Sequence, residues 1–149
     1  MSNTLEQLKL ILEENKDKCI TVIGTTCVGK TTLLKNIPEG ISISELAPPL
    51  NDEEKDFYYN APLTKENEER RLYLRPRRAI VKPGQPAFGT GIAKDTELVV
   101  YLTIDDELLK KRTAMRNVDF NDAKIMQGFI EESIKNSNLP VIELEVTEN

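Results

Sequence analysis

Gly24-Thr25-Thr26-Cys27-Val28-Gly29-Lys30-Thr31 has the spacing G-x-x-x-x-G-K-[ST] of a phosphate-binding loop. Gly24 and Gly29 permit backbone angles that a side chain would forbid, so the segment can curl around an anion. The N–H groups of Thr25, Thr26, Cys27 and Val28 can then point inward as a nest. Lys30 is spaced to reach the β- and γ-phosphates, and the Thr31 hydroxyl to ligate Mg²⁺. Thr32 extends the helix that follows, whose positive dipole end lies under the phosphates.

The flanks supply the context that the motif requires. Cys19-Ile20-Thr21-Val22-Ile23 is a short apolar, β-branched run and predicts a buried strand. Residues Thr31 to Ile37 predict a helix, stopped by Pro38 and Gly40. Strand, glycine loop and helix together predict binding of a nucleoside triphosphate, ATP or another, with Mg²⁺. Cys27 invites a redox role at a helix N-terminus, but the x positions of this motif tolerate many residues.

Composition narrows the classes further. A chain of 149 residues suits one domain with a proper core, spanning 1–149. A formal net charge of -5 argues against a general binder of nucleic acid, which needs a basic excess. No apolar run approaches the ~20 residues of a membrane span, and no signal-peptide pattern opens the chain. A chain without histidine, and with Cys19 and Cys27 as its two cysteines, lacks a zinc or disulfide framework and a His-based triad. A soluble, cytoplasmic protein is expected.

Along the chain, Leu5, Leu8, Ile11 and Leu12 predict an amphipathic helix over 4–16. Ile41-Ser42-Ile43-Ser44 alternates and predicts a second strand ending at Glu45. Residues 52–60 and 64–75 predict charged helices broken at Pro62. Ala79-Ile80-Val81 predicts a third strand, followed by a Pro- and Gly-rich segment to Gly91. Leu98 to Ile104 predicts a fourth, and Asp105 or Asp106 caps a helix to about Met115. A helix over 119–135 would bury Ala123, Ile125, Met126, Phe129, Ile130 and Ile134, before a last strand at Leu139 to Leu144. The alternation implies an α/β fold, a three-layer parallel five-stranded sheet with helices on both faces.

With these residues in place, the chain resembles the small P-loop kinases, the group that holds nucleoside, nucleotide and shikimate-type enzymes. Three features beyond the loop carry the resemblance. Val99 to Arg112 is similar to their fourth strand and the helix running into the lid, where Arg112 and Arg116 match the lid arginines. The sequence runs out just after the fifth strand, as their minimal core does. Glu45 falls where these families place a carboxylate that takes the proton of the acceptor hydroxyl.

The resemblance implies phosphoryl transfer from ATP to a small metabolite, a nucleoside or nucleotide among the options, with Lys30, Glu45, Arg112 and Arg116 as catalytic groups. It makes 52–78 an acceptor-binding cap and 112–119 a short lid. Arg70, Arg71, Arg75, Arg77 and Arg78 would suit an anionic acceptor, or else pair with Glu66, Glu68 and Glu69 on a solvated helix. Arg112 and Arg116 likewise read as lid groups or as a solvated face, and Glu45 as base or as a surface carboxylate. The Gly84–Gly91 segment is either the glycine-rich substrate loop of shikimate-type kinases or a plain connection. One departure stands out. Where many kinases and most ATPases carry an aspartate beside the loop strand, Val81 runs into Lys82. Two other classes stay open: an NTP-binding regulatory module or pseudo-enzyme, which that departure supports, and an NTPase working with a nucleic-acid or protein partner, which the acidic balance counts against.

Overall fold

The computed structural model describes residues 3–62 and 64–147. Five parallel strands form one sheet in the order β2-β3-β1-β4-β5. They are β1 (Ile20–Ile23), β2 (Ile41–Ser42), β3 (Ala87–Gly89), β4 (Leu98–Thr103) and β5 (Val141–Glu145). Around them lie α1 (Asn3–Glu14), α2 (Lys30–Lys35), α3 (Ile43–Leu46), α4 (Asp52–Asn60), α5 (Lys65–Leu74), α6 (Asp106–Met115) and α7 (Phe120–Ser137).

Strand periodicity sorts the core into two layers. Along β4, Leu98, Val100 and Leu102 pack with Leu8 and Leu12 of α1, Leu33 of α2, and Leu108 and Leu109 of α6. The intervening Val99 and Tyr101 join Ile23 and Ile130 of α7 on the opposite face. Both faces are therefore covered, which is why β1 and β4 are continuous apolar runs. The order reverses at β1, which pairs with β3 on one side and β4 on the other. A crevice outside the carboxyl end of β1 follows from that topology, and the phosphate-binding loop begins there.

Caps place the helices. Asn51 and Glu54 form a reciprocal capping box at the start of α4, and Thr64 caps α5. Asp105 accepts from Leu108 N–H at 2.9 Å and starts α6, while Asp119 starts α7. Asn138 ends α7 in the left-handed region, at a φ of 58°.

Three expectations need correction. The third strand is Ala87–Gly89, inside the Pro- and Gly-rich segment; Ile80 forms only an isolated bridge to Lys94. Apolar character at 79–81 reflects burial of Ala79 and Val81 in a side cluster with Ile43, Ala47 and Ala87, not sheet pairing. The second strand stops at Ser42, whose side chain accepts from Ser44 N–H and turns the chain into α3. Glu45 thus sits on a helical turn. Ile125, expected in the buried face of α7, is 55% exposed, and Gln127 is buried instead.

Beneath β1 a closed hydroxyl circuit satisfies buried polar groups. Thr96 gives its single proton to Ala93 O at 2.6 Å, so Thr21 must donate in the 2.6 Å Thr21–Thr96 contact. Thr21 Oγ1 in turn accepts from Ala93 N–H at 3.3 Å. Thr21→Val keeps the shape but orphans that N–H, and should cost roughly 1–3 kcal/mol. A lower urea midpoint at unchanged m-value is the expected result.

Candidate functional site

The loop after β1 is pinned by groups from three other elements. Gly24 N–H donates to Gly89 O of β3 at 3.3 Å. The buried Thr25 hydroxyl donates to Ala123 O of α7 at 2.6 Å. Arg112 Nη1 of α6 donates to Val28 O at 2.8 Å. Glycine is required at both ends of the loop. A Cβ on Gly24 would stand 2.9 Å from Val28 Cγ1, and Gly29 has a φ of 105° beneath the Arg112 guanidinium. Cys27 also adopts a positive φ, 67°, and is buried, as a tight curl of the backbone demands.

Lys30 bends back over this curl, its ammonium donating to Gly24 O and, at 2.8 Å, to Thr25 O. The residue as a whole is half-buried, the ammonium being its enclosed end. Desolvation there lowers its pKa to about 7; the Arg116 charge adds to the shift and Cys27 opposes it. Arg116 itself ends α6 and is exposed. Lys30, Arg112 and Arg116 are therefore brought together around one loop from two distant parts of the chain.

Two cavities reach this loop. The first, of about 470 Å³, is walled by Val28, Gly29, Thr32, Arg112, Arg116 and the Val146–Thr147 segment that follows β5. Thr4 of α1 closes its far side, accepting from Thr147 N–H at 3.2 Å. The second, of about 450 Å³, lies between α5 and α7 and has Thr26, Leu72, Asp122, Ile125, Met126 and Phe129 in its wall. Cys27 lines the first and Thr26, one residue earlier, the second.

Glu45 lies in neither wall; its helix rests on β3, where a Cβ at Gly89 would fall 2.7 Å from Ile43 Cδ1. The cap arginines are absent from both walls as well. Arg71 donates to Tyr58 O at 2.9 Å, to Ala61 O and to Glu68, clipping α4 to α5. Arg78 pairs with Glu54 at 2.7 Å. Arg70 stacks 4.1 Å over Phe57, Arg75 5.1 Å over Tyr58 and Arg77 5.4 Å over Tyr73. Arg70, Arg71, Arg75 and Arg78 tie this stretch to α4, while Arg77 stacks on α5 just before it. Sequence reasoning missed Thr4, Thr147 and Asp122, which carry no motif and meet the loop only through folding.

For a nucleotide the loop is a fit: its glycines leave room where a Cβ would clash, and a cavity with two arginines adjoins it. For Mg²⁺, the Thr31 hydroxyl on the first turn of α2 is exposed and has no protein partner among the described residues, so it can serve as one ligand. No cluster of three or more acidic, His or Cys side chains among the described residues could hold the ion, and β3 runs on into Thr90 and Gly91 without a carboxylate. Phosphate and water oxygens would have to complete its shell.

This architecture, a parallel five-stranded sheet with a glycine loop after β1, is an α/β P-loop fold. No protein-family model matches the chain, and no curated protein matches it in sequence. In shape it is similar to a gluconokinase from Sinorhizobium meliloti 1021, at a TM-score of 0.54 and 16% identity over 91% of this chain and 86% of that one. At that identity the likeness establishes the fold. A hydrogenase maturation factor HypB from Archaeoglobus fulgidus aligns over 95% of this chain and 88% of its own at 11% identity, but its TM-score of 0.30 is too low to bear on function. No helix among the described residues is long and apolar enough to cross a membrane.

The Lys30 shift has a measurable consequence. Unfolded, this lysine keeps its proton up to about 10.5; folded, it releases it near 7. Between those values the unfolded state binds the extra proton, so stability contributed by this site rises with pH. Wild-type protein should therefore gain stability from pH 7 to 10 relative to Lys30→Met, measured by denaturant titration at each pH. Parallel curves would show that the ammonium is not desolvated.

Proposed function

We propose that the protein is a P-loop small-molecule kinase, transferring the γ-phosphoryl group of ATP to a hydroxyl of a small metabolite such as a nucleoside or nucleotide. The observation that carries this reading is the pair of cavities that reach the loop at adjacent residues, Thr26 and Cys27. An ATPase needs one such cavity; group transfer between two substrates needs two. The kinase named among the structural neighbours supports it.

On this reading the loop N–H groups and Lys30 hold the triphosphate, while Arg112 and Arg116 flank it from the α6 side. Residues 112–119 act as the lid and 52–78 as the acceptor cap. Thr31, together with phosphate oxygens, would hold Mg²⁺, which would supply further charge neutralisation. The acceptor oxygen forms a bond to the γ-phosphorus as the bond to the β–γ bridging oxygen breaks, releasing ADP. Its proton passes to Asp122, the carboxylate in the second wall with no protein partner among the described residues. Glu45, outside both walls, is the poorer candidate for that step. Two unpaired cysteines, Cys19 and Cys27, suit the reducing cytoplasm.

A second reading, a nucleotide-binding regulatory module, is favoured by one observation, the absence of a carboxylate after β3. ADP release from Mg²⁺-ATP across a panel of alcohols separates the two. Acceptor-dependent release that disappears in Lys30→Ala is expected for the kinase. Asp122→Asn should then lower kcat by roughly 10²–10⁴ while Glu45→Gln leaves it within a fewfold; the reverse ranking would return the base to Glu45. ATP binding without release for any acceptor would favour the regulatory module.

A further inference from the structure

Resting on the kinase reading, the second cavity also carries information about what it accepts. Its wall is mainly apolar: Leu72 from α5, Val118 before α7, and Ile125, Met126 and Phe129 along α7. The ionisable groups in that wall are Lys65, Glu68 and Asp122, which sum to one negative charge. Glu68 is already paired with Arg71, an arginine that is spent on the carbonyls of Tyr58 and Ala61 and does not reach the cavity. With Glu68 neutralised by Arg71, Lys65 and Asp122 balance, so an anionic acceptor would enter a space with no net charge to attract it and no guanidinium to grip it.

Volume and shape point the same way. A space of about 450 Å³ suits a molecule of nucleoside size. Ile125 is 55% exposed, so α7 presents apolar surface there, and half-buried Met126 beside it packs on the core behind. Methionine adapts its shape and makes favourable contacts with ring edges. At the loop end, Thr26 and Asp122 are the polar groups on which a hydroxyl could be oriented.

We propose that the acceptor is an uncharged alcohol carrying a flat, largely apolar ring, the class of nucleosides and aromatic alcohols, and that it is neither a phosphomonoester nor a sugar acid. The ring lies against Leu72, Ile125, Met126 and Phe129, and the hydroxyl faces Thr26 and Asp122. Specificity between a nucleoside and its monophosphate is set by the apolar wall and Asp122 together with the absence of a free arginine.

Ligand-observed NMR with thymidine, adenosine and benzyl alcohol, against thymidine monophosphate and gluconate, tests the class without requiring turnover. At least one uncharged alcohol should bind the wild-type protein. Ile125→Lys, at an exposed position where folding is safe, should weaken it by roughly tenfold or more. Leu72→Ala, on the other wall, should weaken the same ligand in parallel. Binding by the monophosphate or gluconate alone would overturn the inference while leaving a kinase of anionic acceptors intact. So would uncharged binding that neither variant changes, since the ring would then lie elsewhere. The kinase reading fails separately, if a bound alcohol draws no ADP from Mg²⁺-ATP.

Discussion

Curling the backbone from Gly24 to Thr31 tightly enough to point its N–H groups at one spot is the constraint on which the rest depends. Such a curl costs conformational entropy and, at Cys27, a left-handed backbone that a side chain disfavours. It persists because neighbours fix it from outside: Gly89 O on Gly24, Ala123 O on Thr25, and Arg112 on Val28 O. Each belongs to a different element, so the sheet order and the seating of α6 and α7 all bear on the loop. Pre-organisation of this kind lets a site stabilise developing charge without reorganising as it forms.

Positive charge is gathered here against the balance of the chain. The protein as a whole carries -5, yet Lys30, Arg112 and Arg116 converge on one loop. Desolvation of the enclosed ammonium, with a further push from the Arg116 charge, is what lowers the lysine's proton affinity. The cap region inverts this pattern. Its arginines are numerous, but each is used on a carbonyl, a carboxylate or an aromatic face of the α4–α5 hairpin. Local density of a residue type is a poor guide to a site when the side chains are long enough to fold back.

Addition of α1 ahead of β1 shapes the first cavity in a way no loop motif foretells. Thr4 is buried and accepts from Thr147 N–H, so the start of α1 and the segment after β5 form one wall. The cavity beside the loop thus joins parts of the chain separated by nearly its whole length.

The sequence by itself determined the phosphate loop, the strand before it, the α/β alternation and the placement of most helices, because spacing, apolar periodicity and caps are local properties. It located Arg112 and Arg116 because their helix begins at a readable cap, Asp105, after the clearest strand in the chain. Tertiary structure alone decided which apolar tripeptide enters the sheet. Ala79–Val81 and Ala87–Gly89 are alike locally, and only the latter comes into register with Thr21, Val22 and Ile23. Structure alone also turned Glu45 onto α3, spent the cap arginines on their own hairpin and set Asp122 beside Thr26. These outcomes depend on which surfaces pack against one another across long separations in the chain, a competition that no single stretch of residues can express.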